Sequence, residues 1–283
     1  MSFYEPWLEF KHPIVRQLAF AIASPDLITQ FPKSMHLNQD IQMHSSTFWQ
    51  NCFKHYHARL HFLDQYPQQL LDFLSQIKST RLGLRFEGLL WFWLQDSCNG
   101  YYDLLGHSIQ YHQGSITLGE IDFLLRNRQT GEIEHWEVCL KYYLAEPNLS
   151  IHGWIGLNPE DTFLQKLQHL VQQQFKFQRA LNHPIEKRWI VIKGQLFLPW
   201  NHQKIPSWIN IERRLGTWQN RIPEHLSGLR RLSRQEWLCP VYEQHYSNQQ
   251  KIYWWTDGLY YQFDHNYFLM LKLDLNFRTI FTK

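Results

Sequence analysis

Two runs of alternating apolar and polar residues, 118–125 and 134–144, constrain the fold of this chain more than any other feature. Successive strand side chains point to opposite faces. In the first run Ile121, Phe123 and Leu125 therefore share one face, and Glu120, Asp122 and Leu124 the other. In the second, Trp136, Val138, Leu140, Tyr142 and Leu144 lie opposite His135, Glu137, Cys139, Lys141 and Tyr143. The polar segment Arg128-Gln129-Thr130-Gly131 between them predicts a hairpin with a four-residue loop. Closing that loop with Asn127 opposite Glu132 sets Asp122 opposite Glu137, with Cβ atoms about 4.5–5.5 Å apart. Carboxylates at that spacing repel, and a divalent cation would offset the repulsion. Because side chains repeat every two residues, a loop one residue longer or shorter would destroy the pairing.

Helical patterns surround the hairpin. Pro13 and the apolar residues Ile14, Leu18, Ala21 and Ile22 predict a helix over 13–23 that stops at Ser24-Pro25. Residues 45–78 read as two helices divided at Tyr66-Pro67. Residues 81–95 are apolar almost all round, which predicts a helix packed on several sides, and Glu87 lies inside that run. A buried carboxylate is costly unless it is paired, protonated or metal-bound, so Glu87 requires a partner. Asn158-Pro159-Glu160-Asp161 predicts a helix start, with the helix continuing to about Ala180, and residues 189–198 read as a strand ended by Pro199. The reading is an α/β chain with a mostly helical part over 1–80, a core over 81–200 and a smaller α/β subdomain over 201–283, where 259–263 and 267–275 alternate.

Composition narrows the classes of function. With 44% hydrophobic residues and only 13 Gly and 12 Pro in 283, fibrous and disordered readings fail. A formal charge of +3 is too small for bulk attraction to a polyanion, so nucleic-acid contact would require a local patch. Arg126 and Arg128, at the hairpin end, are the better placed of several arginines interleaved with aromatics. The cysteines Cys52, Cys98, Cys139 and Cys239 form no Cys-x-x-Cys pair, and the N-terminus carries no basic and apolar leader. A cytoplasmic protein without a membrane partner is the expectation. Phosphate-binding glycine loops, a dinucleotide fingerprint and a Gly-x-Ser-x-Gly elbow are missing from the sequence. His57 and His61 have helical spacing without the Glu of a His-Glu-x-x-His pattern, so surface or capping roles are the expectation for them.

Chemistry concentrates in Glu87, Asp122, Glu137 and Lys141. Hydrolysis of a phosphodiester with Mg²⁺ needs clustered oxygen ligands and a group that orients or deprotonates a water. The alternative is that these are the solvated acids and lysines of any amphipathic hairpin.

The order of a helix bearing Glu87, then Gly119-Glu120-Ile121-Asp122, then a strand with Glu137 and Lys141, resembles the PD-(D/E)XK nuclease superfamily. Over most of its length the chain is similar to an uncharacterised bacterial domain family placed near that superfamily. The resemblance implies a restriction-endonuclease-like core, a mixed sheet flanked by helices in αβββαβ order. It also implies Mg²⁺ or Mn²⁺ at Asp122 and Glu137, Lys141 as the catalytic lysine, Glu87 as the acid of the first core helix, and DNA as partner. Lys166 and Gln173 would be polar helpers on the later core helix. One departure stands out: the superfamily separates acid and lysine by one residue, whereas Val138, Cys139 and Leu140 intervene here, with Cys139 where the acid is expected. Two further readings follow, a nuclease-derived scaffold without activity and a nucleic-acid-binding module that needs no metal.

Overall fold

The computed structural model describes residues 3–33, 35, 37, 40–202, 204–221, 228–240, 255–262 and 265–275. The helices are α1 (Pro13–Ala23), α2 (Ser46–Gln65), α3 (Gln68–Ser75), α4 (Leu82–Gln95) and α5 (Phe163–His169), the last followed by a π turn over Leu170–Gln174. The strands are β1 (Gln42–Met43), β2 (Tyr102–Gln113), β3 (Ile116–Asn127), β4 (Ile133–Ala145), β5 (Trp154–Ile155), β6 (Arg179–Ala180), β7 (His183–Pro184), β8 (Lys187–Pro199), β9 (Gly216–Gln219), β10 (Leu229–Arg231), β11 (Gly258–Gln262) and β12 (Tyr267–Leu271). The chain is thus mixed α/β.

Local chemistry explains the helix boundaries. His12 accepts the Ile14 N–H and Pro13 opens α1, while the Ser45 hydroxyl caps α2 by accepting the Phe48 N–H at 3.1 Å. Pro67 separates α2 from α3. The expected start at Asn158 is displaced. Asn158 Oδ1 accepts the Glu160 N–H and its carbonyl accepts the Asp161 N–H, so this polar cap closes a turn, and the helix begins only at Phe163. Nor does it reach Ala180, which lies in the small hairpin β6–β7, where Leu181 and Asn182 adopt positive φ.

The chain forms two compact units that cut across the divisions at 80 and 200. The first comprises residues 1–141, 164–194 and 207–213, and the second the remainder, so β4 and β8 contribute a segment to each. The sheet of the first unit runs β2-β3-β4-β8, mostly antiparallel, with β1 parallel to β8. Helices α1, α2 and α4 pack on one another, α4 lies against β2, and the π turn lies against β3. In the second unit the order is β10-β11-β12-β9-β8, with β12, β9 and β8 parallel and β10, β11 and β12 antiparallel. Leu229, Tyr260, Leu269 and Leu271 form a core there. Among its described residues the segment 201–283 holds strands and a 3-10 turn, and Phe263 of the expected alternating run lies outside the described residues.

A buried ion pair ties the loop after α1 to β8. Asp26 Oδ2 accepts the Trp49 Nε1–H at 2.8 Å, Oδ1 accepts the Ile192 N–H at 2.9 Å, and Lys193 Nζ lies 3.5 Å from that same Oδ1. The Lys193 ammonium also donates to the Ser24 carbonyl and sits 3.5 Å from the Trp49 ring centroid. Burial holds the Asp26 carboxyl above its ordinary range and the Lys193 amine below its own, and each partner's charge opposes the shift. Removing one member of such a pair leaves the other charge uncompensated. Lys193→Ala is therefore expected to lose about 3–5 kcal/mol in urea unfolding; a loss below about 1 kcal/mol would show that the pair contributes little.

Candidate functional site

The hairpin forms in the expected register. The Asn127 N–H donates to the Glu132 carbonyl at 2.9 Å, Gly131 takes the left-handed φ of +78° that the turn requires, and Phe123 faces Trp136. One step further, Asp122 turns its carboxylate to the partner strand and accepts the Val138 N–H at 2.8 Å. Glu137 receives a backbone hydrogen bond from Asp122 in return. The face that carries Glu137 is not solvated: His135 and Glu137 are both 0% exposed, so the half-solvated hairpin is excluded at this point.

A short polar chain surrounds Glu137. Its Oε1 lies 2.6 Å from His135 Nε2, its Oε2 accepts from the Gln174 amide, and Gln174 Oε1 accepts from Lys166 Nζ at 3.2 Å. Burial is the first cause that lifts Glu137, to about 8, against the opposing charge of Lys166. Burial also raises Asp122 well above the carboxylate range, and the neighbouring charge of Glu137 adds to it. His135 is pushed the other way, to about 3, by burial and by the charge of Arg188. Both shifts favour the neutral imidazole and the protonated carboxyl across the 2.6 Å contact. Among the described residues, buried His135 Nδ1 finds no hydrogen-bond partner.

The π turn aligns Lys166 with Gln174. Residues eight apart on a straight α-helix diverge by about 80°, whereas residues seven apart nearly coincide. Straight-helix spacing therefore selects Gln173, which is exposed. The wider π turn, marked by the Phe175 N–H bonding to the Leu170 carbonyl, inserts one residue and brings Gln174 inward instead.

Glu87 projects from α4 towards β2 and finds partners there. Its Oε1 lies 2.8 Å from His107 Nε2 and 3.4 Å from Ser108 Oγ, and its charge contributes to raising both Asp122 and Glu137. The β2–β3 register shifts by one residue between Leu104 and Gly106, just before His107 and Ser108. The structure thus gathers Glu87, Asp122, Glu137 and Lys166. Lys141 is four residues beyond Glu137, about 13 Å along the strand, where its charge acts on Cys139 and Gly194 of β8 passes against its carbonyl with φ +122°. Arg126 is exposed at the hairpin end, and Arg128 pairs with Asp103 at 2.8 Å. His135, Gln174, His107 and Ser108 complete the cluster. Only His135 carried a sequence signal, its place on the same strand face as Glu137.

Asp122 and Glu137 offer hard oxygen ligands to a cation, with Lys166 beside them. Among the described residues, three His, Cys, Asp or Glu ligand atoms lie within 4.8 Å of one another only at Glu9, His57 and His61, so the acids here supply a partial coordination sphere. A family model described as Domain of unknown function (DUF1853) matches residues 16–272. The chain belongs to this family. No curated protein and no solved structure matches it. The matched span contains the whole carboxylate cluster. Among the described residues no helix is long and apolar enough to cross a membrane.

The buried carboxyl has a thermodynamic signature. A group held at about 8 in the folded chain and near 4.3 when unfolded keeps its proton only in the folded state between those values. Its stabilisation is therefore complete at low pH and lost as pH rises through the folded value. His135 works in the opposite sense, but only below its ordinary value of about 6.5. In chelator-containing buffer the melting temperature of Glu137→Gln should fall less steeply between about pH 6.5 and 8 than that of the wild type. Equal slopes would mean that Glu137 is ionised in the folded chain.

Proposed function

We propose that this chain is a metal-dependent, nuclease-like hydrolase of DNA phosphodiesters. The observation that carries the reading is the pairing of two carboxylates, Asp122 and Glu137, on adjacent strands, both shifted towards the protonated form and both within reach of the Lys166 charge. A divalent cation replaces such protons with a stabilising charge. Asp122 and Glu137 would hold Mg²⁺ or Mn²⁺, with water and phosphate oxygens filling the remaining positions, as is usual for Mg²⁺. When bound, the metal would supply Lewis-acid polarisation of the phosphate and a more acidic water.

The remaining roles belong to the chain itself. Lys166, rather than Lys141, is the ammonium positioned to orient a water or to stabilise charge developing on phosphate. Gln174 positions it by bonding Lys166 and Glu137 together. Glu87, held by His107, adds negative charge on the α4 side. The reading takes support from the longer elements, which follow one another as α4, β2, β3, β4, α5 and β8, with the short strands β5, β6 and β7 between them. A cytoplasmic setting belongs to the same reading, because no disulfide joins Cys52, Cys98, Cys139 and Cys239 to one another.

A second reading, an inactive scaffold on the same fold, is favoured by one observation: both oxygens of Glu137 are already engaged, by His135 and by Gln174. Cleavage of single-stranded, double-stranded and branched DNA with Mn²⁺ separates the two. The hydrolase reading predicts metal-dependent cleavage that falls about 100-fold or more in Asp122→Ala and Lys166→Ala. Lys141→Ala should stay within about threefold of wild type. Absence of cleavage on all three substrates, or a loss confined to Lys141→Ala, would contradict it.

A further inference from the structure

A second cluster of ligand atoms lies in the first unit, on different elements. His57 and His61 are one turn apart on α2, and a 3-10 turn over Pro6–Glu9 sets Glu9 against them. His57 Nε2 is 2.8 Å from Glu9 Oε1, His61 Nε2 is 3.2 Å from His57 Nε2, and His61 Nε2 is 4.0 Å from Glu9 Oε1. These separations bracket the roughly 3.4 Å edge of a tetrahedron with metal–ligand bonds of about 2.0–2.2 Å.

The geometry points to a binding site for a divalent transition metal of the zinc class, held by Glu9, His57 and His61. Hydrogen bonding alone accounts poorly for the arrangement. His57 Nε2 has one in-plane position, filled by a proton or by a lone pair, which serves either the Glu9 carboxylate or His61, so one of the two short contacts is left without a well-directed hydrogen bond. A cation accepts all three. Two imidazoles and one carboxylate select zinc-like ions over Mg²⁺ or Ca²⁺, which prefer all-oxygen shells.

The ligands are also held in place by their surroundings. Asp64, on the same helix, accepts the Lys11 N–H at 3.0 Å and the His12 N–H at 2.7 Å, which fixes the chain just after Glu9. The buried Phe10 ring lies 5.1 Å from the His61 ring and 6.3 Å from the His57 ring, and Phe53 meets His57 edge-on at 5.4 Å. The three ligands keep 41–50% of their side-chain surface exposed, so solvent reaches the remaining coordination position. The metal would clamp the N-terminal segment onto α2.

The test is calorimetric titration of the untagged, chelator-stripped full chain with ZnCl₂, backed by the visible ligand-field spectrum with Co²⁺. One equivalent should bind and raise the melting temperature. Binding should be lost in His57→Ala and in His61→Ala, weaken about tenfold or more in Glu9→Gln, and persist in the Asp122→Ala/Glu137→Ala double variant. Circular dichroism confirms that each variant is folded, and His57→Gln and His61→Gln replace any alanine variant that is not. No Zn²⁺ binding by the wild type, or binding unchanged in the folded histidine variants, overturns the proposal. Zn²⁺ binding that disappears only in the Asp122/Glu137 double variant would assign the ion to the other site and overturn it equally.

Discussion

The complete burial of Glu137 in the middle of β4 is the constraint around which the first unit is arranged. A carboxylate removed from water requires a proton, a cation or several donors. Here it receives a hydrogen bond from the Asp122 backbone and one from Gln174, and lies 2.6 Å from His135 Nε2. Each partner comes from a different part of the architecture: the hairpin partner strand, the π turn after α5, and β4 itself. The β3–β4 register, the position of the π turn and the Lys166–Gln174 contact all bear on one buried group.

Much of this was legible because strand periodicity is strict. Alternation over 118–125 and 134–144, together with the Asn127–Glu132 closure, places Asp122 beside Glu137, and the ladder follows that register as far as Phe123–Trp136. The helix over 81–95, apolar almost all round, and the break at Tyr66-Pro67 are equally readable. The features that sequence did not disclose are those in which a local rule yields to tertiary structure. Strand β2 has no clean alternation, because Gly106, Ser108 at φ +49° and two register shifts interrupt it. With β2 unrecognised, His107 and Ser108 could not be assigned as the partners of Glu87.

The exchange of Gln173 for Gln174 has a similar origin. Seven-residue spacing aligns side chains on a straight helix, and a π turn adds one residue without any distinctive sequence mark. Burial is the other blind spot. Alternation shows that His135 and Glu137 share a face with Asp122's partners, but not that this face is covered by other elements. Lys166 acquired its place beside the acids by the same route, from helix geometry, while Lys141 stayed on the strand where its number placed it.

Two further polar centres in the first unit contrast with this one. Asp26 and Lys193 neutralise each other in the interior and need nothing from outside. Glu9, His57 and His61 converge at the surface, where an ion can reach them. Among the described residues of the Glu137 cluster, the acids Glu87, Asp122 and Glu137 outnumber the cations Lys166 and Arg188, and that imbalance is the property from which a metal-dependent activity is inferred.

The most direct test of that imbalance is the proton count on metal binding. Mn²⁺ titrated calorimetrically into the Glu9→Gln/His57→Ala/His61→Ala variant at pH 7, in buffers of different ionisation heat, gives the number of protons released per ion. If Glu137 is held protonated as its surroundings require, at least about one proton leaves for each Mn²⁺ bound, and more where Asp122 is protonated too. Binding with no proton release would contradict the account, because the carboxyl would then be ionised before the metal arrived.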